Sequence, residues 1–242
     1  MIENEEIKEI SCRIQYSLAN TFLNELNSYG LKYAVIKGCP LAYYKTGNPG
    51  TRWPGDIDIL ISRQDVNKAI NLLELSGFQS SYALNRRERI MLLSNSHQIP
   101  VYSKFVGKFQ IQIDVNFDLF WGEYEGKRID VSEFLDGAID LEIFGKRIKT
   151  LPPLKCMVQI ILHHYKELNS LYHLTSHIAF KRRIFEDIYV LCQRYHEEIS
   201  IENLYEISKR YGILSYTYYM FYYTRKVYED AMLDGYLETL YT

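Results

Sequence analysis

The sequence predicts an α/β domain with a mixed sheet over residues 1–150, led by a helix, followed by a helical bundle over residues 151–242. Three observations carry this reading. Strand, short helix, strand and helix follow one another between Leu31 and Gly77. Segments around Val101 and Ile113 alternate apolar and polar residues with a period of two, as half-buried strands do. After the Pro152-Pro153 pair the apolar period becomes three and four and glycine almost disappears, as packed helices require.

Taken in order, Ile7, Ile10, Ile14, Leu18, Phe22 and Leu26 predict one amphipathic helix, with Gly30 placed to end it. "KYAVIK" reads as a short buried strand. Gly38 follows, and Pro40 opens a short helix through Tyr44, since proline is tolerated in a first helical turn. "TGNPGTRWPG" has the composition of a loop. "DIDILIS" is the next strand, with Ile57, Ile59 and Ile61 on one face and Asp56, Asp58 and Leu60 on the other. Ser62 and Asp65 read as a capping box for a helix whose stripe is Val66, Ala69, Ile70 and Leu73, closed by Gly77. "RRERIMLLS" fits a helix or a strand equally. "IPVYSKF" and "KFQIQIDVNF" form an antiparallel pair turning near Gly107, which puts Asp114 and Asn116 on a polar face. Four helices then follow: "PLKCMVQIILHHYKEL", "KRRIFEDIYVLCQRY", "SIENLYEISKRYG" with Ser200 as its cap, and "LSYTYYMFYYTRKVYED".

Bulk composition narrows the function classes. The chain has 242 residues, 47% of them hydrophobic, and a formal net charge of -2. No strong overall field draws nucleic acid or an anionic membrane. Cys12, Cys39, Cys156 and Cys192 are far apart, with no C-x-x-C pair, which suits reduced thiols in a cytoplasmic protein. The opening "MIENEEIKEI" is acidic and lacks the apolar core of a secretory signal. No stretch approaches the roughly 18 apolar residues of a membrane span.

The chemistry-bearing stretch is "IKGCPLAYYKTGNPGTRWPGDIDILIS". Asp56 and Asp58 stand two apart and project in parallel, and two like charges so close repel unless a cation bridges them. Magnesium is a hard cation held by a few carboxylates plus substrate phosphates. A third carboxylate from another strand, Asp114, completes a two-metal site of the kind that serves in-line phosphoryl transfer. A triphosphate needs donors. Gly38 lets backbone come close to an anion, and the helix after it offers N–H groups at its start. Lys37 and Arg52 are the nearest cations in sequence.

"VIKG" with "TRWPGDIDILIS" resembles the nucleotidyltransferase superfamily that includes DNA polymerase β, and more closely a bacterial family of uncharacterised nucleotidyltransferases. "IDVNFDLFW" resembles that family's third-carboxylate strand, with Asn116 where histidine is common. "TLPPLKCMVQIILHHYKEL" resembles its Leu-Pro-led helix with a histidine, here His164, and "RRIFEDIYVLCQRY" a following helix with an aspartate, here Asp187. The resemblance runs from about residue 31 to about residue 225, with Cys39 where the superfamily usually has serine. It implies that Asp56, Asp58 and Asp114 hold two Mg²⁺ ions and that Asp114 helps deprotonate the acceptor. It also implies that Lys37, Gly38, Cys39 and Arg52 lie along the triphosphate.

Plainer readings stand beside these. An isolated D-x-D is most often a pair of solvated turn carboxylates. Arg52 can cap a carbonyl or pair with Asp56, Lys37 can be an edge residue with its head in water, and Cys39 can simply pack. His163, His164, His173 and His177 invite a zinc or iron site, but the chain lacks the His-Asp pair of metal phosphohydrolases. His164 is better read as packing or lining a cleft, with Asp187 orienting it. The tyrosine-rich last helix offers rings for stacking on bases, for packing, or for homodimerisation.

The expected reaction is Mg²⁺-dependent transfer of a nucleoside monophosphate from an NTP such as ATP to a hydroxyl, with pyrophosphate released. The acceptor expected is a small molecule or a protein, with RNA less favoured. The competing readings are a catalytically silent nucleotide-binding or regulatory module of the same fold, and a toxin-type nucleotidyltransferase that modifies RNA.

Overall fold

The computed structural model describes residues 2–53, 55–83, 85–120, 129–170, 174–176 and 181–241. It divides into two compact units, Met1–Pro152 and Pro153–Thr242.

The first unit is a mixed seven-stranded sheet in the order β3-β4-β5-β2-β1-β7-β6. The strands are β1 (Tyr33–Ile36), β2 (Ile57–Ile61), β3 (Gln79–Ser80), β4 (Tyr102–Val106), β5 (Phe109–Asn116), β6 (Ile139–Ile143) and β7 (Lys146–Thr150). β1 and β2 are antiparallel, whereas β2 and β5 run parallel. Strand alternation sends Ile57, Ile59, Ile61, Ile111, Ile113 and Val115 to one face. There they share a core with residues of α1 (Ile2–Ser28) and α3 (Val66–Leu75). The even-numbered residues Asp58, Asp114 and Asn116 are thereby left to the other face. Burying each large aliphatic side chain in that core is worth about 1.5–3 kcal/mol, so the greasy face fixes the register that places the acidic one.

Several sequence expectations change in detail. Ile7 and Ile10 are exposed; Phe22 and Leu26 are buried as expected, and α1 buries Cys12, Tyr16, Ala19 and Leu23 beside them. The small Cys12 and Ala19 let α1 lie close, whereas the first turns of the helix run past the sheet's core. Ser62 makes no side-chain cap; a single 3-10 turn, Arg63–Asp65, leads into α3. The ambiguous stretch forms α4 (Arg86–Asn95), begun by a capping box between Asn85 and Glu88. The hairpin of β6 and β7 was not foreseen; it turns at Phe144 and Gly145, both with positive φ, as a tight two-residue hairpin needs.

Among the described residues the second unit contains α6 (Pro153–Asn169), α7 (Arg182–Arg194), α8 (Ile201–Arg210), α9 (Leu214–Tyr228) and α10 (Met232–Leu240), the last unforeseen; the first unit also contains α2 (Gly38–Thr46) and α5 (Val131–Phe134). The tyrosines of α9 pack among themselves and on their neighbours. Tyr165 meets Tyr216 at 4.5 Å between ring centroids, and Tyr189 stacks on Tyr228 at 4.1 Å. These contacts favour packing over base stacking as the use of this aromatic face. No helix among the described residues is long and apolar enough to cross a membrane.

Candidate active site

Strand register assembles the acidic cluster. β5 lies beside β2 with Asp114 opposite Asp58 and Asn116 opposite Leu60. Neighbouring strands stand about 4.8 Å apart, so register partners on parallel strands present their side chains together on one face. Asp56 precedes β2 by one residue and is exposed. One carboxylate oxygen from each of Asp56, Asp58 and Asp114 lies within 4.8 Å of the other two.

The turn out of β1 brings in the cation. Ile36 pairs with Asp58, so the chain leaves β1 beside that carboxylate. Lys37 and Gly38 both have positive φ, +57° and +38°, which swings the chain off the sheet and into α2. A non-glycine residue held there costs about 1–3 kcal/mol, a strain that tends to collect at functional sites. In this position Lys37 Nζ donates to Asp58 Oδ1 at 2.6 Å. α2 starts without a side-chain cap and without an acidic residue in its first turn. Its positive end is therefore not neutralised by its own side chains. A methyl group added at Gly38 would meet nothing within 4 Å; glycine serves here for its backbone angles, and the space before it is open. Tyr44 holds α2 in place by donating to Leu151 O at 2.6 Å.

Arg52 reaches the same place on a loop strapped to α1. Gly50 lies so close to that helix that an added methyl would sit 2.9 Å from the Glu9 Cα. Cys12 Sγ donates to Arg52 O at 3.3 Å, and Gln15 Nε2 donates to Gly55 O at 2.5 Å. Gly38, Cys39, Arg52, Asp56 and Asp58 consequently line one small cleft. The Cys39 side chain itself is buried with Cys12 and Tyr16 in the core. A thiol–thiol hydrogen bond with Cys12 and burial push its pKa up, so it stays a neutral thiol and no nucleophile.

The electrostatics of the cluster are those of a site short of positive charge. Burial raises the pKa of Asp58 and the nearby Lys37 opposes the shift, with burial the larger effect. Asp114 is pushed up to about 7, first by burial and then by the charges of Asp56 and Asp58. Its Oδ1 is buried without a hydrogen-bond partner. A buried acceptor in a ring of three carboxylates is an oxygen-only donor set that fits a hard divalent cation.

Asn116 has a role that its departure from the family's histidine did not suggest: its amide lies 3.4 Å from Asp58 Oδ1. Its even-numbered place on β5 was the available signal. Asp118, buried and paired with Arg63 at 2.9 Å, was also missed; nothing in its local sequence marks it. In the other unit His164 and Asp187 face each other at 3.4 Å, whereas His173 and His177 lie outside the described residues.

The family described as uncharacterised nucleotidyltransferase matches residues 9–229 of this chain. Among solved structures, an antigenic nucleotidyltransferase-like protein from Paracoccidioides brasiliensis is 17% identical, with 83% of this chain and 90% of that one covered and a TM-score of 0.44. The antibiotic-resistance factor ANT(2'')-Ia is 13% identical, with 85% and 97% covered and a TM-score of 0.47. No curated protein matches the chain.

Proposed function

The chain belongs to this uncharacterised nucleotidyltransferase family, and from that premise we propose that it moves a nucleoside monophosphate from an NTP to a hydroxyl group in a Mg²⁺-dependent reaction. The observation that carries the proposal is the convergence of Asp56, Asp58 and Asp114 within 4.8 Å, beside the uncapped start of α2.

In this reading Asp56, Asp58 and Asp114 would hold two Mg²⁺ ions. Bound magnesium supplies Lewis-acid polarisation of the phosphate oxygens and offsets charge on the departing pyrophosphate. The Gly38 and Cys39 backbone approaches the triphosphate from the N-terminal end of α2, where the helix favours anions. Arg52 and Lys37 add charge along it, Arg52 with a fork suited to phosphate oxygens. The acceptor oxygen forms a bond to the α-phosphorus as the bond to the β-phosphate oxygen breaks, and pyrophosphate leaves with the electron pair. The acceptor's proton passes to Asp114, the carboxylate that converges with Asp56 and Asp58. A small molecule or a protein side chain is the acceptor favoured, because a net charge of -2 offers little to a long RNA. Four free thiols support a reducing compartment such as the cytoplasm.

The test combines binding with turnover. Each of the four NTPs, with Mg²⁺, is added to the pure chain and the shift in melting is recorded. A ligand at 100 times its Kd adds about 2.7 kcal/mol. The same mixtures with labelled NTP and cell extract are then assayed for pyrophosphate and for a labelled acceptor. Stabilisation together with a labelled product supports the transferase. Stabilisation without product from any acceptor pool replaces it with a nucleotide-binding module.

A further inference from the structure

A second cluster of metal-binding side chains lies in the helical unit, built on different atoms. His163, His164 and Glu167 all sit on α6 and bring one ligand atom each within 4.8 Å of one another. At about 100° per residue, Glu167 falls between the two histidines in azimuth, one turn further along the helix. It meets them with separate oxygens. Oε1 lies 3.4 Å from His163 Nε2, and Oε2 lies 3.1 Å from His164 Nδ1. On its other side the His164 ring faces α7, where Nε2 stands 3.4 Å from Oδ2 of Asp187, a fully buried carboxylate.

The buried His164 ring lies between two carboxylates. The His163 ring is 5.3 Å from that of His164 and converges on the same glutamate. Two imidazole nitrogens and a carboxylate oxygen brought together in this way form a three-point donor set for a single metal ion. Ligands at about 2.1 Å from a tetrahedral ion stand about 3.4 Å from each other, the scale of the separations seen here.

We propose that His163, His164 and Glu167 bind one divalent transition-metal ion, and that Asp187 holds the His164 ring in the tautomer that presents Nδ1 to it. Two imidazoles and a carboxylate select zinc and its first-row neighbours over magnesium or calcium. A carboxylate behind a ligating histidine is the usual means of fixing its orientation.

The test uses the full-length chain, stripped with EDTA, in an Asp58→Asn background that removes a ligand from the oxygen-only cluster of the sheet. Zinc is titrated calorimetrically, and Co²⁺ is added separately to read nitrogen coordination from its absorption spectrum. One ion per chain is expected, with a Co²⁺ spectrum of imidazole ligation. Glu167→Gln and His163→Gln are each expected to weaken binding at least tenfold, and Asp187→Asn by about 10–100-fold. Circular dichroism establishes that each variant is folded. Absence of binding in the Asp58→Asn chain overturns the proposal. So does binding of equal strength in folded Glu167→Gln and His163→Gln, and the cluster would then be a histidine–carboxylate hydrogen-bond network.

Discussion

The acidic cluster of the sheet and the histidine–glutamate cluster of α6 solve the same problem with different means. The first is made from two parallel strands distant in sequence, and its register partners Asp58 and Asp114 meet only because the core face of the sheet is apolar. The second comes from three residues within little more than one helical turn, and needs only the helix to form. The first offers oxygen alone, borrowing positive charge from Lys37 and an amide from Asn116. The second mixes nitrogen and oxygen and carries its own proton acceptors. The contrast teaches that donor chemistry, more than the number of charges, separates the site proposed for magnesium from the one proposed for a transition metal.

The comparison is most easily broken at Asp58. Asp58→Asn or Asp56→Asn is expected to lower nucleotidyl transfer by about a thousandfold, and the metal-free Asp56→Asn chain to melt at the same temperature or slightly higher because a like charge is gone. Pyrophosphate release under saturating NTP measures it. Full turnover in either variant would remove the sheet cluster from the mechanism. A smaller effect is expected at Lys37, the cation that stands in the sheet site where the helix site has histidines. Breaking a buried pair costs about 3–5 kcal/mol, and a fifth of the Lys37 side chain is exposed. Lys37→Met is therefore expected to cost the metal-free chain about 2 kcal/mol. Magnesium should restore more stability to this variant than to the parent, as read from urea unfolding with and without the ion. Equal magnesium gains in the two chains would mean that Lys37 does not stand in for a cation at Asp58.

Most of the sheet site was legible because its signals are local and periodic. The alternation in "DIDILIS" and "KFQIQIDVNF" assigned Asp58, Asp114 and Asn116 to the polar face, and the observed core occupies the other one. The pairing of β2 with β5 was not legible: it depends on which strands become neighbours, a non-local choice that no window of sequence contains. The same limit hid the strapping of the Arg52 loop to Cys12 and Gln15, which follows from how α1 crosses the sheet. Ile7 and Ile10 misled for a related reason, since apolar spacing marks a stripe and only packing decides where along the helix the stripe is used. The β6–β7 hairpin was missed although alternation was present in "IDLEI", because Phe144 takes the positive φ that a glycine or asparagine would have advertised. In the helical unit the spacing of His163, His164 and Glu167 was visible. The burial of His164 against Asp187 was not, and it is what changes the reading of that cluster.

The finest distinction concerns protons at the sheet site. Burial and the neighbouring carboxylates raise Asp114 from an ordinary 3.8 to about 7 in the metal-free protein. Between those values the folded chain holds a proton that the unfolded chain has released. The stability Asp114 contributes is thus full below pH 4 and is lost as pH rises to about 7. Magnesium requires the ionised form, so its binding expels that proton. At pH 7 about half a proton per chain should be released on binding, approaching one at pH 6, and affinity should weaken about tenfold for each further unit of acid. Calorimetry in two buffers of different ionisation enthalpy counts the released protons directly. Asp114→Asn should abolish the release, whatever it does to the affinity. An affinity that stays flat from pH 6 to 8 in the parent would mean that Asp114 is already ionised in the metal-free site, and that Lys37 and Asn116 neutralise the cluster more fully than its burial suggests.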